Sequence, residues 1–231
     1  MTAHDARLVG AYELPYRHAP DKSLAQMQAE AALGAVADAG LSLKDVDGFF
    51  CGGDTPGMGP MSLIEYLNIT PRYVDSTETG GNSYVSHVAR AARAIDAGLC
   101  DVALITLAGK PRTPAKGSRP MTDSNKPDQD FELTYHPTVP ANYALAAQRH
   151  MYGTTSEQLA WIKVAASHHA QHNPHALLQG VVSVEDVVNS PMVASPLHRF
   201  DCCVITDGGG ALILAKSEIA KRLNRPSVKI L

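Results

Sequence analysis

Long apolar runs are missing from this sequence. No stretch of about 18 consecutive apolar residues occurs, so no segment reads as a membrane-spanning helix. The opening Met1-Thr2-Ala3-His4-Asp5-Ala6-Arg7 has no apolar core of the kind a secretory signal needs, and the expected location is the cytoplasm. Charge of one sign is also scarce: 20 Lys and Arg stand against 23 Asp and Glu, for a net −3. Without a long basic stripe, nucleic acid or an anionic membrane surface is not the expected main partner. The four cysteines, Cys51, Cys100, Cys202 and Cys203, show no C-x-x-C spacing, and the adjacent pair is poorly placed for a mutual disulfide. Reduced thiols are therefore expected. Aromatics make up only 6%, and with 45% apolar residues the core must be built from Ala, Val and Leu. No internal repeat is present.

What is there alternates strand-like and helix-like runs over the first hundred residues, the pattern of crossover units on a mainly parallel sheet. Arg7 to Tyr12 reads as a strand. Ser23-Leu24-Ala25-Gln26 has capping-box form, and the Ala-rich helix it opens ends at Gly40. Asp45 to Cys51 reads as a second strand running into a glycine-rich turn, followed by a short helix near 61–67 and a strand around Tyr73-Val74. From Asn82, apolar Val85, Val88, Ala89, Ala92 and Ile95 fall at helical spacing, and Gly98 precedes the nearly all-apolar strand Val102 to Leu107.

Residues 109–136 change character. They carry Lys110, Pro111, Arg112, Pro114, Lys116, Arg119, Pro120 and Pro127 without periodicity, and so form a long excursion from the sheet. Helical patterns return at 139–151 and 156–171, the second ended by Asn173-Pro174. Gly208 to Ala215 reads as strand, Ser217 to Leu223 as helix, and Val228 to Leu231 as the start of another strand.

Several segments, in order and spacing, resemble the thiolase superfamily, specifically sterol-carrier-protein-type thiolases and the thiolase-like enzymes labelled lipid-transfer proteins. They are Ala35 to Leu41 with Asp45 to Gly48, the glycine turn and helix from Gly80 to Gly98, Arg149 to Thr155, Asn173 to Ala176, and Ser195 to Cys203 through Asp207-Gly208. The resemblance implies an α/β layered fold of two similar halves. On that reading residues 1–109 and 201–231 form the N-terminal half, with a mixed, mainly parallel sheet and buried helices. Residues 110–200 form an inserted helical loop domain over the coenzyme A site. The family's C-terminal half, with its Gly-His-Pro and Cys-x-Gly segments, is absent from these residues.

An ordinary thiolase needs a cysteine at the start of the buried helix, where the helix N-terminus lowers the thiol pKa and the thiolate accepts the acyl group. Aligning the helix through Ala91-Ala92-Arg93-Ala94-Ile95 puts Gly81 in that cysteine's place. A glycine cannot be acylated, yet backbone N–H groups at a helix mouth free of Cβ atoms can still receive a thioester oxygen. Gly80, Gly81, Asn82 and Tyr84 are therefore the candidate substrate-binding residues, with a plain helix-opening turn capped by Asn82 as the competing reading. His136 is the candidate acid or base, against a solvent-facing loop histidine. His87 on the same helix reads as a packing residue.

Other features read as structural. His168, His169, His172 and His175 contain an i,i+4 pair but no acidic or cysteine ligand to complete a metal site. Cys51, beside a glycine turn, is a remote substitute nucleophile and by default an inert packing residue. The run Arg112, Lys116, Arg119 and Lys126 can meet coenzyme A phosphates or simply be solvated.

Among lipid-transfer-type members that this sequence resembles, loss of the cysteine goes with retro-aldol cleavage of a β-hydroxyacyl-CoA, as in steroid side-chain breakdown. The resemblance thus implies an enzyme of lipid or steroid metabolism with no permanently bound cofactor and a coenzyme A thioester as substrate. A degenerate acyltransferase and a non-catalytic acyl-CoA-binding subunit are the alternatives, with a conventional thiolase a weaker third. It further implies a homodimer and a small OB-fold, zinc-ribbon acyl-CoA-associated protein as partner.

Overall fold

The computed structural model describes residues 5–52, 55, 57–77, 79–113 and 138–230. By its internal contacts the chain divides into two compact units, residues 1–113 with 206–231, and residues 114–205.

The first unit is built on a six-stranded sheet in the order β3-β2-β4-β7-β1-β8. Its strands are β1 (Ala6–Glu13), β2 (Gly48–Gly52), β3 (Tyr73–Thr77), β4 (Val102–Gly109), β7 (Gly208–Lys216) and β8 (Val228–Lys229). β2 pairs in parallel with β3 and β4, while β7 lies antiparallel between β4 and β1, and β8 antiparallel to β1. β1 to β4 therefore run one way and β7 and β8 the other: a mixed sheet whose parallel part was legible from its crossovers.

Both faces are buried, and the period of two along each strand sorts the side chains. Phe49, Cys51, Val102, Leu104, Ile213 and Ala215 join one core cluster with Met27, Ala31, Ala32 and Ala35 of α1 (Leu24–Ala39). Phe50, Ala103, Ile105 and Leu214 join the other, with Ala91, Ala92, Ala94 and Ile95 of α3 (Ser83–Asp96). The alanines of α1 let it approach closely: a Cβ on Gly10 of β1 would come within 2.5 Å of the Ala35 carbonyl oxygen. Ser23 caps α1 by accepting from the Gln26 N–H, but the Gln26 side chain turns to Glu30 instead of completing the box. α2 (Pro60–Leu67) inserts Leu63 and Leu67 into the α1 cluster.

Two carboxylates fasten the sheet's ends. Asp47 accepts from the N–H groups of Asp101 (2.9 Å) and Val102 (2.8 Å) and from the Arg72 guanidinium (2.6 Å), tying together the starts of β2, β3 and β4. β2 accordingly begins at Gly48 rather than at Asp45, which closes a single 3₁₀ turn instead. Asp207, fully buried, accepts from the N–H groups of Ala19 (2.9 Å), Arg112 (3.0 Å) and Thr113 (3.1 Å) and from the Thr113 hydroxyl.

The second unit contains α4 (Val139–His150), α5 (Ser156–Ala170), α6 (Val184–Val188) and a hairpin of β5 (Met192–Ala194) with β6 (Leu197–His198). Its small core gathers Ala160, Val164 and Val187. Thr155 and Ser183 open α5 and α6 with complete capping boxes. α6 and the hairpin are too short to show periodicity, and the sequence reading passed over both. α7 (Ser217–Leu223) returns to the first unit. No helix among the described residues is long and apolar enough to cross a membrane.

Burial alone would raise the Asp207 pKa, but the hydrogen bonds from Thr113, Ala19 and Arg112 outweigh it and hold the carboxyl below its ordinary range. A depressed carboxyl pKa stabilises the fold above the unfolded value of about 3.9 and loses that contribution as pH falls through the folded one. Asp207→Asn should cost about 2–3 kcal/mol at pH 7 in urea unfolding. It should also flatten the loss of stability between about pH 5 and 3.

Candidate functional site

The turn between β3 and α3 is folded by its own backbone. Gly80 adopts φ +75°, a conformation in which a side chain is strained. Its carbonyl accepts from the Ser83 N–H at 3.0 Å, and an isolated bridge joins Thr79 to Gly81. Ser83, buried, turns its hydroxyl back to accept from the Thr79 N–H at 2.9 Å. Asn82 stands at the N-cap position, but its side chain makes no capping hydrogen bond; its carbonyl takes the Ser86 N–H at 3.1 Å. The side-chain cap by Asn82, the competing reading, is therefore not made; Ser83 instead clasps the turn through the Thr79 N–H, and a hydroxyl four residues after Thr79 was the available signal for it.

This leaves Gly80, Gly81 and Asn82 exposed, with nothing among the described residues within 4 Å of the position a Cβ would occupy on either glycine. α3 is a 14-residue helix, so the positive end of a full dipole and first-turn N–H groups without intrahelical acceptors gather at this mouth. An oxygen carrying partial negative charge can approach it without displacing a side chain.

Tyr84, the second residue of α3, is partly buried. A Cβ on Gly52, at the end of β2, would fall 2.5 Å from its hydroxyl oxygen, so only glycine leaves the ring its place. Tyr84 also lines a hollow of about 350 Å³ with Tyr12, Ile105, Leu107, Ala211 and Leu212. Its ring meets His87 edge-on at 5.8 Å between centroids.

The sequence expectation for α3 holds at Ala92 and Ile95, which are buried, but not at Val85, which is 76% exposed; the buried stripe runs through Ser83, His87, Ala91, Ala92, Ala94 and Ile95. His87 thus lies wholly inside the core, 6.0 Å from the Phe50 ring, with neither ring nitrogen hydrogen-bonded among the described residues. Burial pushes its pKa down; Asp75 raises it by a smaller amount, and Arg90 adds to the lowering.

Cys51 is fully buried on the α1 face of the sheet, away from α3, and burial pushes its thiol up despite hydrogen bonds with Thr55 and Ser76. It is no thiolate and does not stand in the mouth. Cys100 is likewise buried, its thiol pushed up to about 12, while Cys202 and Cys203 belong to the second unit. His168, His169, His172 and His175 are exposed, and no group of three metal-ligating side chains forms among the described residues. His136, Lys116, Arg119 and Lys126 lie outside the described residues; Arg112 exposes its side chain while its N–H binds Asp207.

A base whose pKa is lowered by folding takes up its proton more readily when unfolded. His87 therefore leaves stability intact above about pH 6.5 and diminishes it as pH falls below. His87→Leu should leave the protein as stable at pH 7.5, or up to about 1–3 kcal/mol more so, because it removes an unpaired buried polar group. Part of the stability loss between pH 6.5 and 5 should vanish in thermal unfolding of this variant. Destabilisation at pH 7.5 would contradict the reading.

No protein-family model matches the chain. Acetyl-CoA acetyltransferase of Methanothermobacter thermautotrophicus is 33% identical over 237 residues, 94% of this chain and 58% of that protein. The 17-hydroxy-3-oxo-4-pregnene-20-carboxyl-CoA lyase of Mycobacterium tuberculosis is 30% identical over 250 residues, 100% of this chain and 62% of that protein. The solved Ltp2-ChsH2(DUF35) aldolase superposes with a TM-score of 0.84 at 28% identity, over 97% of this chain and 59% of that one. The chain spans about three fifths of the length of these relatives. With the layered sheet, the glycine mouth of α3 and these relatives in agreement, the chain belongs to the thiolase superfamily, among its sterol-carrier-protein-type and lipid-transfer-type members.

Proposed function

We propose that the protein containing this chain cleaves a carbon–carbon bond in a β-hydroxyacyl-CoA by a retro-aldol reaction, without an acyl-enzyme. The single observation that carries the reading is the open helix mouth at Gly81, the position that the resemblance aligns with the cysteine of ordinary thiolases. The thioester oxygen sits at this mouth, and the dipole and N–H groups of α3 favour the negative charge that grows on it. A base takes the β-hydroxyl proton, the bond between the α and β carbons breaks, and its electron pair passes into the thioester enolate. The β carbon leaves as a ketone or aldehyde, and protonation at the α carbon releases the shortened acyl-CoA. No step needs sulfur, and the raised thiol of buried Cys51 speaks against a conventional thiolase using that residue.

His136, outside the described residues, is the candidate base on residue type alone. Gly80, Gly81, Asn82 and Tyr84 serve as the substrate-binding residues, and residues 110–200 as the loop domain over the coenzyme. A homodimer, and a partner of the kind present in the Ltp2-ChsH2(DUF35) aldolase, complete the assembly. The names of two relatives, a lyase and an aldolase, favour cleavage over acyl transfer, which the acetyltransferase relative keeps as the second reading.

The full-length protein, incubated with a β-hydroxyacyl-CoA bearing a tertiary hydroxyl, should release a ketone and a shortened acyl-CoA, and iodoacetamide should leave the rate unchanged. An acyl adduct on any residue of this chain, or tight binding without product, would refute the reading. Gly81→Ala should lower turnover by at least about tenfold by placing a methyl group in the mouth, with an unchanged melting temperature.

A further inference from the structure

The last stretch of the chain is strongly basic although the whole is acidic. Lys216 to Lys229 holds five Lys and Arg and a single Glu, while the chain carries a net −3. The fold gathers these cations at the end of the sheet opposite the mouth. α7 follows the last residue of β7, whose Ala215 pairs with Val102 at the start of β4, whereas the mouth follows the end of β3. The length of β4 separates the two, roughly 25 Å at ~3.3 Å per residue.

There Arg7, Ser217, Lys221, Asn224, Arg225 and Ser227 line a hollow of about 370 Å³. Cations in the last turn of a helix complement its dipole, which accounts for Lys221 and Arg222 in part. Arg225 lies along the end of α1, 3.5 Å from the Ala37 carbonyl oxygen and 3.7 Å from Asp38. Nothing of the kind accounts for Arg7, a partly buried strand residue. It faces Lys229 directly across the β1–β8 ladder, a pairing of like charges on one face that costs stability. Among the described residues no carboxylate reaches Arg7, Lys221 or Lys229. Of the nearby acids, Asp5 accepts from the Ser217 hydroxyl, and Asp38 accepts from the Ala11 N–H and pairs with Arg225, while Glu218 of α7 stands outside the lining of the hollow.

We propose that this hollow binds a phosphate monoester or inorganic phosphate through Arg7, Lys221 and Arg225. A doubly charged tetrahedral anion has the acceptors to satisfy an arginine fork and an ammonium together, and it offsets the repulsion between Arg7 and Lys229. The hydroxyl of Ser227 and the amide of Asn224, on the same wall, are further donors. The site is independent of the reading of the α3 mouth and uses none of its residues.

The test is calorimetric titration of the full-length protein with inorganic phosphate at fixed ionic strength, with chloride as control. A second arm measures binding to phosphatidylcholine vesicles with and without phosphatidic acid, to tell a free anion from a lipid headgroup. Saturable binding in either arm is expected, weakened by at least about tenfold in Arg7→Gln/Lys221→Gln and retained in Lys44→Gln. Lys221→Gln alone, a change on an exposed helix residue, should weaken it in the same direction if the double variant folds poorly. No saturable binding in either arm, equal response to chloride, or undiminished binding in the variants would overturn the proposal.

Discussion

A buried hydroxyl holds the mouth of α3 open. Ser83 is enclosed by the first unit and spends its Oγ on the Thr79 N–H, while the Gly80 carbonyl takes the Ser83 N–H. These two bonds close the turn from within and leave the outward surface to two glycines and Asn82. Had Asn82 done the capping, its side chain would lie across the N–H groups that the proposed thioester oxygen approaches. The constraint also fixes α3 in rotation: with Ser83 inward, His87, Ala91 and Ala94 follow at helical spacing and Val85 is forced out.

That rotation accounts for the costly feature of the core. An imidazole whose two nitrogens have no partner among the described residues sits among Phe50, Tyr84 and the alanines of α3, where a hydrocarbon of similar size would pack without penalty. The same layer carries Tyr84 against Gly52, so the floor of the mouth depends on the absence of a side chain on β2 as much as its opening depends on Gly80 and Gly81. Asp47 and Asp207 work at the edges of this arrangement. Each is a single carboxylate collecting donors from segments distant in sequence, which keeps strand ends in register where ladder bonds run out.

Much of this was legible in the sequence because it is local. The limits of α1, α4, α5 and α7 followed from caps, glycines and periodicity, and the resemblance to the thiolase superfamily rested on segment order that the relatives share. What was not legible depends on partners far along the chain. Asp47 gives up strand geometry to bind Asp101 and Val102, which sequence spacing cannot announce. The apolar periodicity of α3 pointed to Val85 because a hydropathy pattern counts a buried serine and histidine as surface. β7 reaches its place between β4 and β1 only after the 114–205 excursion, so no local signal revealed the antiparallel insertion. The open glycines were foreseen from the missing cysteine, while the Ser83 clasp behind them was not.

The central claim, that the mouth of α3 polarises a thioester oxygen without bonding to its carbon, is tested most directly by isotope-edited infrared spectroscopy. The full-length protein would be mixed with a ¹³C-labelled acyl-CoA lacking the β-hydroxyl. The account predicts a thioester carbonyl band shifted to lower frequency on binding, with the thioester intact and the shift lost in Gly81→Ala. An unshifted band, or its replacement by that of an acyl group attached to the protein, would contradict it.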